Sequence, residues 1–260
     1  MGLMLDKSNK STNDKVGEVS HTKCGTKATI IEYINSHKVL VRFDDKYKYE
    51  YYTSYGNFKN GQLTNPYECR NKNGIGFIGV GKYNSKNHKI AYHKWAAMLD
   101  RCIREDYRDK SISSYKDCTV CEEWLNFQNF AKWFYENQYE CNEPLCVDKD
   151  ILIHGNRLYS PNTCLLVPQR INLLFIKEKG RRGNLLIGAQ KYKQYNYFTS
   201  MLSTLEGNKY LGLFSNEYDA FMAYKTEKEK YIKEVANQYK KVIPQKLYDA
   251  MYNYQIEITD

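Results

Sequence analysis

The stretch LCVDKDILIHGNRLYSPNTCLLVPQRIN, residues 145–172, decides how the rest of the chain is interpreted. It opens with a short apolar run that ends on the charged cluster Asp148-Lys149-Asp150. A polar turn follows, and a second apolar run leads into Pro168, a residue type that favours the first turn of a helix. The pattern predicts a strand, a loop, a second strand and a helix, with carboxylates at the end of the first strand.

This order of elements resembles the ββα-metal core of HNH endonucleases, in particular the phage-type homing and nicking enzymes. In that family an Asp-His pair closes the first strand, an Asn lies in the loop, and a His or Asn lies on the helix. The resemblance assigns metal binding to Asp148 and Asn172, and it assigns to Asn162 the holding of the loop and the orienting of the base. Lys149 stands where the family has its catalytic His.

Hydrolysis of a phosphodiester needs an activated water, stabilisation of charge in the transition state and help for the leaving oxygen. Asp148 and Asn172 form a hard donor set that suits Mg²⁺ or Mn²⁺. Lys149, normally protonated at neutral pH, is a poor base but can bind the scissile phosphate. His154 is the nearest imidazole in the loop, and it is either a base that swings in or an exposed loop residue.

The segment before this core, residues 91–137, predicts two helices. Apolar side chains recur at helical spacing in the first, and a second helix over 122–137 carries an aromatic face. Such stripes indicate packing in a core rather than a cofactor site. The segment also resembles the one that precedes the ββα core in phage HNH-like proteins, so the likeness spans about residues 91–176.

Eight cysteines in a chain without a secretion signal indicate reduced thiols. Four of them have spacings that can surround a tetrahedral zinc ion, namely Cys118, Cys121, Cys141 and Cys146. Buried free thiols are the default expectation for these residues, and a structural Zn²⁺ is the unlikely alternative.

Before residue 91 the chain predicts three parts. Residues 1–17 are polar and aperiodic and predict a flexible tail. Residues 18–68 alternate in the manner of strands and predict a small all-β module, an SH3-like barrel. Residues 69–90 are a glycine-rich, basic connector, whose G-x-G-x-x-G match at residues 74–79 is not a dinucleotide site because a polar loop, not a helix, follows it.

Residues 179–260 form the last predicted module. The run YLGLF at 210–214, followed by helix-forming residues, resembles the signature of AP2 domains, which set three antiparallel strands against one helix. Ser215 or Asn216 is expected to cap that helix. The basic residues that we expect to contact DNA are Arg181, Arg182, Lys191 and Lys193.

The predicted fold is therefore α+β and multidomain: the β-barrel, the helical segment with the ββα-metal core over 91–178, and the AP2-like sheet with its helix. Lys and Arg outnumber Asp and Glu by 39 to 30, which favours a polyanionic partner such as double-stranded DNA. The sequence contains no apolar run long enough for a membrane span, and we expect a cytoplasmic protein, in the host cell if it is phage-encoded.

Two functions follow from these patterns. The first is an HNH-like DNA endonuclease or nickase that uses one divalent metal ion. The second is a catalytically degenerate relative that binds DNA or a protein partner, as a phage regulator or as an inhibitor of a host nuclease. Lys149 favours the second function, whereas Asp148, Asn162 and Asn172 favour the first.

Overall fold

A computed structural model describes residues 13–68, 74–103, 117–177, 183–192 and 196–260. The fold is α+β, as the sequence predicts, with several small sheets. The chain divides into two compact units. One unit comprises Met1–Asn84 with Leu125–Gln128, and the other comprises Ser85–Trp124 with Asn129–Asp260.

The first unit is built on a four-stranded antiparallel sheet. Its strands follow one another in space as they do in the chain: β1 (Val19–His21), β2 (Lys27–Asn35), β3 (Lys38–Phe43) and β4 (Glu50–Thr53). Alternate residues of β2 and β3 point to one face, where Ile30, Val39, Val41 and Phe43 are fully buried. The strand-like alternation predicted within residues 18–68 is therefore present as paired strands, with a turn at residues 36–37 between β2 and β3.

The predicted barrel is not closed in the part of the chain that the structure describes. The sheet is an open one, with β1 and β4 at its two edges. Closure needs the two edges to pair with each other, directly or through further strands, but the chain leaves β4 into the short helix α1 (Tyr55–Lys59), which Ser54 caps. Phe58 of α1 then packs into the core of the sheet.

The predicted tail and connector are partly described. Of the tail, residues 13–15 form a 3₁₀ turn, and the N–H of Gly17 donates to the carbonyl of Ile30 at 2.8 Å. In the connector, residues 74–84 form a loop that is hydrogen-bonded to residues 125–128, with Phe77 bridged to Asn126. Residues 1–12 and 69–73 lie outside the described residues.

The second unit begins with helix α2 (Lys89–Ile103), whose buried face contains Trp95, Met98 and Leu99. The next predicted helix, 122–137, is interrupted. Residues 122–125 form a 3₁₀ helix, and α3 runs over Phe127–Asn137. The interruption lies at Asn126, whose side chain accepts a hydrogen bond from the N–H of Gln128 at 3.0 Å. Such a bond from a side chain to the backbone competes with the hydrogen bonds of a continuous helix.

Strand, loop, strand and helix follow in the predicted order. Strand β6 (Leu145–Asp148) pairs antiparallel with β8 (Leu165–Pro168), which places Asp148 opposite Leu165. The loop between them contributes β7 (Leu158–Tyr159), which pairs in parallel with β5 (Thr119–Val120). Helix α4 (Gln169–Leu174) follows β8 directly.

The C-terminal part is a three-stranded antiparallel sheet with a long helix against it. Its strands are β9 (Ala189–Lys191), β10 (Phe198–Thr204) and β11 (Gly207–Phe214), with β10 in the centre. Helix α5 (Glu217–Tyr239) is capped by Asn216, one of the two predicted caps, and α6 (Gln245–Tyr252) follows it.

One core joins this sheet to the ββα segment. Val167 and Ile171 of that segment pack in the same cluster as Leu202 of the sheet and Phe221 and Ile232 of α5. The cluster therefore extends across the boundary that the sequence predicts at residues 178 and 179. Among the helices that the structure describes, none is long and apolar enough to cross a membrane.

Candidate functional site

The end of β6 and the helix α4 meet at a small cleft in the second unit. Asp148 and Asn172, which are 24 positions apart in the sequence, both line it, and α2 supplies the cations Lys94 and Arg101. The cleft encloses about 100 Å³. Its other described lining residues are Ala97, Met98, Cys146, Val147, Lys149, Asp150 and Tyr159.

Asp148 ends β6 and also holds the turn that follows it. Its Oδ1 accepts hydrogen bonds from the backbone N–H groups of Asp150, at 2.9 Å, and Ile151, at 2.7 Å. Burial raises the pKa of Asp148 above its ordinary value, and the N–H of Ile151 opposes that change. Oδ1 of Asp148 is therefore occupied by hydrogen bonds within the turn. The residue still lines the cleft.

Lys149 is only 3% exposed and makes three hydrogen bonds. Its Nζ donates to both carboxylate oxygens of Asp150, at 2.7 and 2.8 Å, and to the carbonyl of Asn156 at 3.0 Å. An ammonium has three donors and no acceptor. Lys149 therefore neutralises Asp150 and anchors the loop, and in this arrangement it has no lone pair with which to accept a proton.

Asn156 is the residue that fastens the loop. Its Nδ2 donates to the carbonyls of Lys149, at 2.9 Å, and Leu158, at 2.7 Å, and its Oδ1 accepts from the N–H of Leu158 at 3.1 Å. Sequence reasoning assigned this task to Asn162. The signal for Asn156 was its place after Gly155, whose φ of 69° marks a tight turn.

Asn162 lies in an exposed turn and does not line the cleft. The turn around it is held by its neighbours instead. The hydroxyls of Ser160 and Thr163 are 2.8 Å apart, and the Thr163 hydroxyl donates to the carbonyl of Leu158 at 2.6 Å. Asn162 therefore has neither the contacts nor the position that the resemblance implies.

His154 is engaged outside the cleft. Its Nε2 lies 2.6 Å from Oδ1 of Asp260 and 3.2 Å from Nζ of Lys177, and its ring packs near Tyr254. Asp260 is 106 positions away in the chain, so no local pattern of residues predicts this pairing. No histidine is among the described residues that line the cleft.

The four cysteines considered for zinc all lie among the described residues. Among the described residues, no three His, Cys, Asp or Glu side chains are grouped so that they could hold a metal ion. Burial raises the pKa of Cys118 and Cys121, which disfavours the thiolate that binds zinc. Cys146 lines the cleft instead, with the Lys94 ammonium 3.9 Å from its Sγ.

Asp148 and Asn172 nevertheless suit a hard divalent cation. Mg²⁺ is commonly bound through one or two carboxylates, several waters and the phosphate of a substrate, so it does not need a cage of protein ligands. One carboxylate and one amide oxygen at the same cleft meet this minimum. Asp150 is a poorer ligand here, because Lys149 already occupies both of its oxygens.

Of the four basic residues predicted to contact DNA, only Lys191 is described, and it is exposed at the end of β9. Arg181, Arg182 and Lys193 lie outside the described residues. No protein-family model, no curated protein and no solved structure matches this chain.

Proposed function

We propose that this protein is an HNH-like DNA endonuclease or nickase that uses one Mg²⁺ or Mn²⁺ ion. The observation that carries the proposal is the cleft at which Asp148 and Asn172 meet, with Lys94 and Arg101 beside them. Two oxygen donors and two cations at one small cleft suit a phosphodiester and a divalent ion together.

Six residues at or next to the cleft have a part in this proposal. Asp148 and Asn172 would hold the metal ion. The bound ion would stabilise the negative charge that develops on the phosphate and on the leaving oxygen. Lys94 and Arg101 bind phosphate oxygens of the strand. Lys149 and Asn156 act through the fold, because they fix the loop that follows Asp148.

The proposal extends to the other modules of the chain. The three-stranded sheet and α5 are an AP2-like module that binds double-stranded DNA, with Arg181, Arg182, Lys191 and Lys193 on phosphates. The ββα segment is an HNH-like metal core, and the open N-terminal sheet is a variant of an SH3-like module. The protein acts in the cytoplasm, that of the host cell if it is phage-encoded.

A second function is a catalytically degenerate protein that binds DNA or a protein partner. The observation that favours it is the burial and pairing of Lys149 at the position where HNH enzymes have their catalytic His. Without an imidazole among the described lining residues, the cleft lacks the usual general base for the attacking water.

Nicking of supercoiled plasmid DNA separates the two functions. The wild-type chain is incubated with Mg²⁺ or Mn²⁺, and conversion to open circles is followed over time. Metal-dependent nicking by the wild type supports the endonuclease. No nicking with either metal, by protein that still binds duplex DNA, supports the degenerate binding factor.

DNA binding is measured separately by the anisotropy of a labelled duplex. Contacts between basic side chains and phosphates release counterions, so we expect the affinity to fall steeply as salt is raised. Absent binding would remove DNA as the partner and leave the protein-binding alternative.

A further inference from the structure

A second and larger cavity lies in the C-terminal part of the same unit, and Lys191 is the one described lining residue that the proposed function also uses. It encloses about 640 Å³, within the usual range for small-molecule sites. The end of α4, the segment that enters β9, the central strand β10 and the helix α5 all contribute to its walls. It shares no described lining residue with the Asp148 cleft.

Lys228 of α5 lines this cavity and is only 6% exposed. Among the described residues, its ammonium has no hydrogen-bond acceptor and no carboxylate partner. Buried charges are normally paired, because an unpaired one loses its hydration without compensation. Burial accordingly lowers the pKa of Lys228 to about 8. An anionic ligand in the cavity would supply the partner that this buried cation lacks among the described residues.

The other charges of the cavity have the same sign. Lys177 and Lys191 also line it, and no Asp or Glu is among its described lining residues. Lys177 is paired with Asp260, so its charge is partly offset. Lys191 is exposed at the rim. The described walls therefore attract an anion and offer no carboxylate to repel it.

The remaining walls are largely apolar. Leu173, Ile176, Ile187 and Met201 contribute aliphatic surface, and Tyr224 contributes an aromatic ring. Leu173 and Ile176 are about half exposed, at 52% and 54%, so apolar surface is open to a ligand here. A bare inorganic anion would leave this surface in contact with water, whereas an anion with an apolar body would cover it.

We propose that this cavity binds a small organic anion, one that places a carboxylate, sulfonate or phosphate group on Lys228 and an apolar body against Leu173, Ile176 and Met201. The ligand is a small molecule, distinct from the DNA of the proposed function. A charge-assisted hydrogen bond to the buried ammonium orients the ligand. The apolar wall stabilises the complex because it buries the apolar body of the ligand.

The fluorescent probe 8-anilinonaphthalene-1-sulfonate has both features, an aromatic body and a sulfonate, and tests the site directly. The full chain is titrated with the dye at pH 7, where Lys228 is charged. Lys228→Met retains the length and apolar stem of the side chain and removes only the charge. Lys233→Met is the matched control, because Lys233 is exposed on the same helix and lies outside the cavity.

We expect one saturable dye site in the wild type, unchanged affinity in Lys233→Met and affinity weakened about tenfold or more in Lys228→Met. A second variant, Ser203→Phe, places a large side chain in the cavity from β10 and keeps Lys228, and it should also abolish the site. Circular dichroism verifies that each variant is folded.

Equal dye binding by wild type and Lys228→Met would overturn the proposal, because the dye would then report an apolar patch alone. Displacement of the dye by a duplex oligonucleotide would also overturn it, since the cavity would then belong to the DNA interface. Displacement by an aliphatic carboxylate such as octanoate, but not by inorganic phosphate, is the result that the proposal predicts.

Discussion

The Lys149 ammonium donates to both carboxylate oxygens of Asp150, its neighbour in the chain, at 2.7 and 2.8 Å. The lysine is buried, whereas the Asp150 side chain is 38% exposed. The pair therefore keeps the buried Lys149 ammonium directly after Asp148, the residue that we propose as a metal ligand. It makes Lys149 part of the framework of the cleft rather than its base.

Lys149→Met should lower the free energy of unfolding by about 2 kcal/mol, because it leaves Asp150 and the carbonyl of Asn156 without their donor. Lys132→Met is the control, since Lys132 forms an exposed pair with Glu136 at 3.9 Å and should change stability by less than about 0.5 kcal/mol. Urea denaturation followed by circular dichroism measures both. Equal stability of the two variants would contradict the framework role.

Asn156→Ala and Asn162→Ala form a matched pair in one loop. Asn156→Ala removes three hydrogen bonds to the backbone and should cost about 2 kcal/mol of unfolding free energy. Asn162→Ala changes an exposed side chain and should stay within about 0.5 kcal/mol of wild type. The same denaturation experiment compares them, and a larger loss in Asn162→Ala would reverse the assignment.

Gly188→Ala should be more damaging than Gly183→Ala, although both glycines have a positive φ, of 81° and 64°. A Cβ at Gly188 would overlap the side chain of Tyr224, whereas a Cβ at Gly183 meets nothing within 4 Å. We expect a loss of about 1 kcal/mol from backbone strain at Gly183 and at least about 2 kcal/mol at Gly188. Melting temperatures of the two variants check the order.

The stability of the protein should rise between pH 8 and pH 10 because of Lys228. Burial lowers the pKa of Lys228 from 10.5 to about 8 in the folded state, so the unfolded chain binds its proton more tightly. Protonation of Lys228 therefore favours unfolding. As the pH rises from 8 to 10, the lysine loses its proton and this destabilisation of the folded state disappears. The full effect is about 3 kcal/mol.

Lys228→Met removes this dependence, because methionine does not titrate. The variant should be more stable than wild type at pH 7, and the difference should shrink towards pH 10. Urea midpoints measured at pH 7, 8, 9 and 10 report both trends. A wild-type midpoint that does not rise relative to the variant over this range would show that Lys228 titrates normally.

The order of elements around the cleft could be predicted from the sequence, because each is locally determined. The apolar runs of β6 and β8 predicted two strands, and a cap at Ser215 or Asn216 predicted the start of α5, which Asn216 caps. That Asp148 and Asn172 line the same cleft was implied only by the resemblance to the ββα-metal core, since the order of elements does not determine it.

The rest depended on contacts that no local pattern contains. Two asparagines of the loop, Asn156 and Asn162, are equally polar in the sequence, and only their hydrogen bonds distinguish them. His154 binds Asp260 across 106 positions, which removed it from the cleft. In the sequence, Lys228 is one of several charged residues of α5. Its burial results from the packing of that helix against the sheet.

The central claim, that Asp148 and Asn172 hold a metal ion for phosphodiester hydrolysis, is tested most directly by plasmid nicking with Asp148→Asn. This variant keeps Oδ1 as an acceptor for the N–H groups of Asp150 and Ile151 and loses the negative charge. We predict metal-dependent nicking by the wild type, a loss of at least about 100-fold in Asp148→Asn, and unchanged nicking in the exposed control Asp249→Asn. Undiminished nicking by folded Asp148→Asn, or none by the wild type with either metal, would contradict the claim.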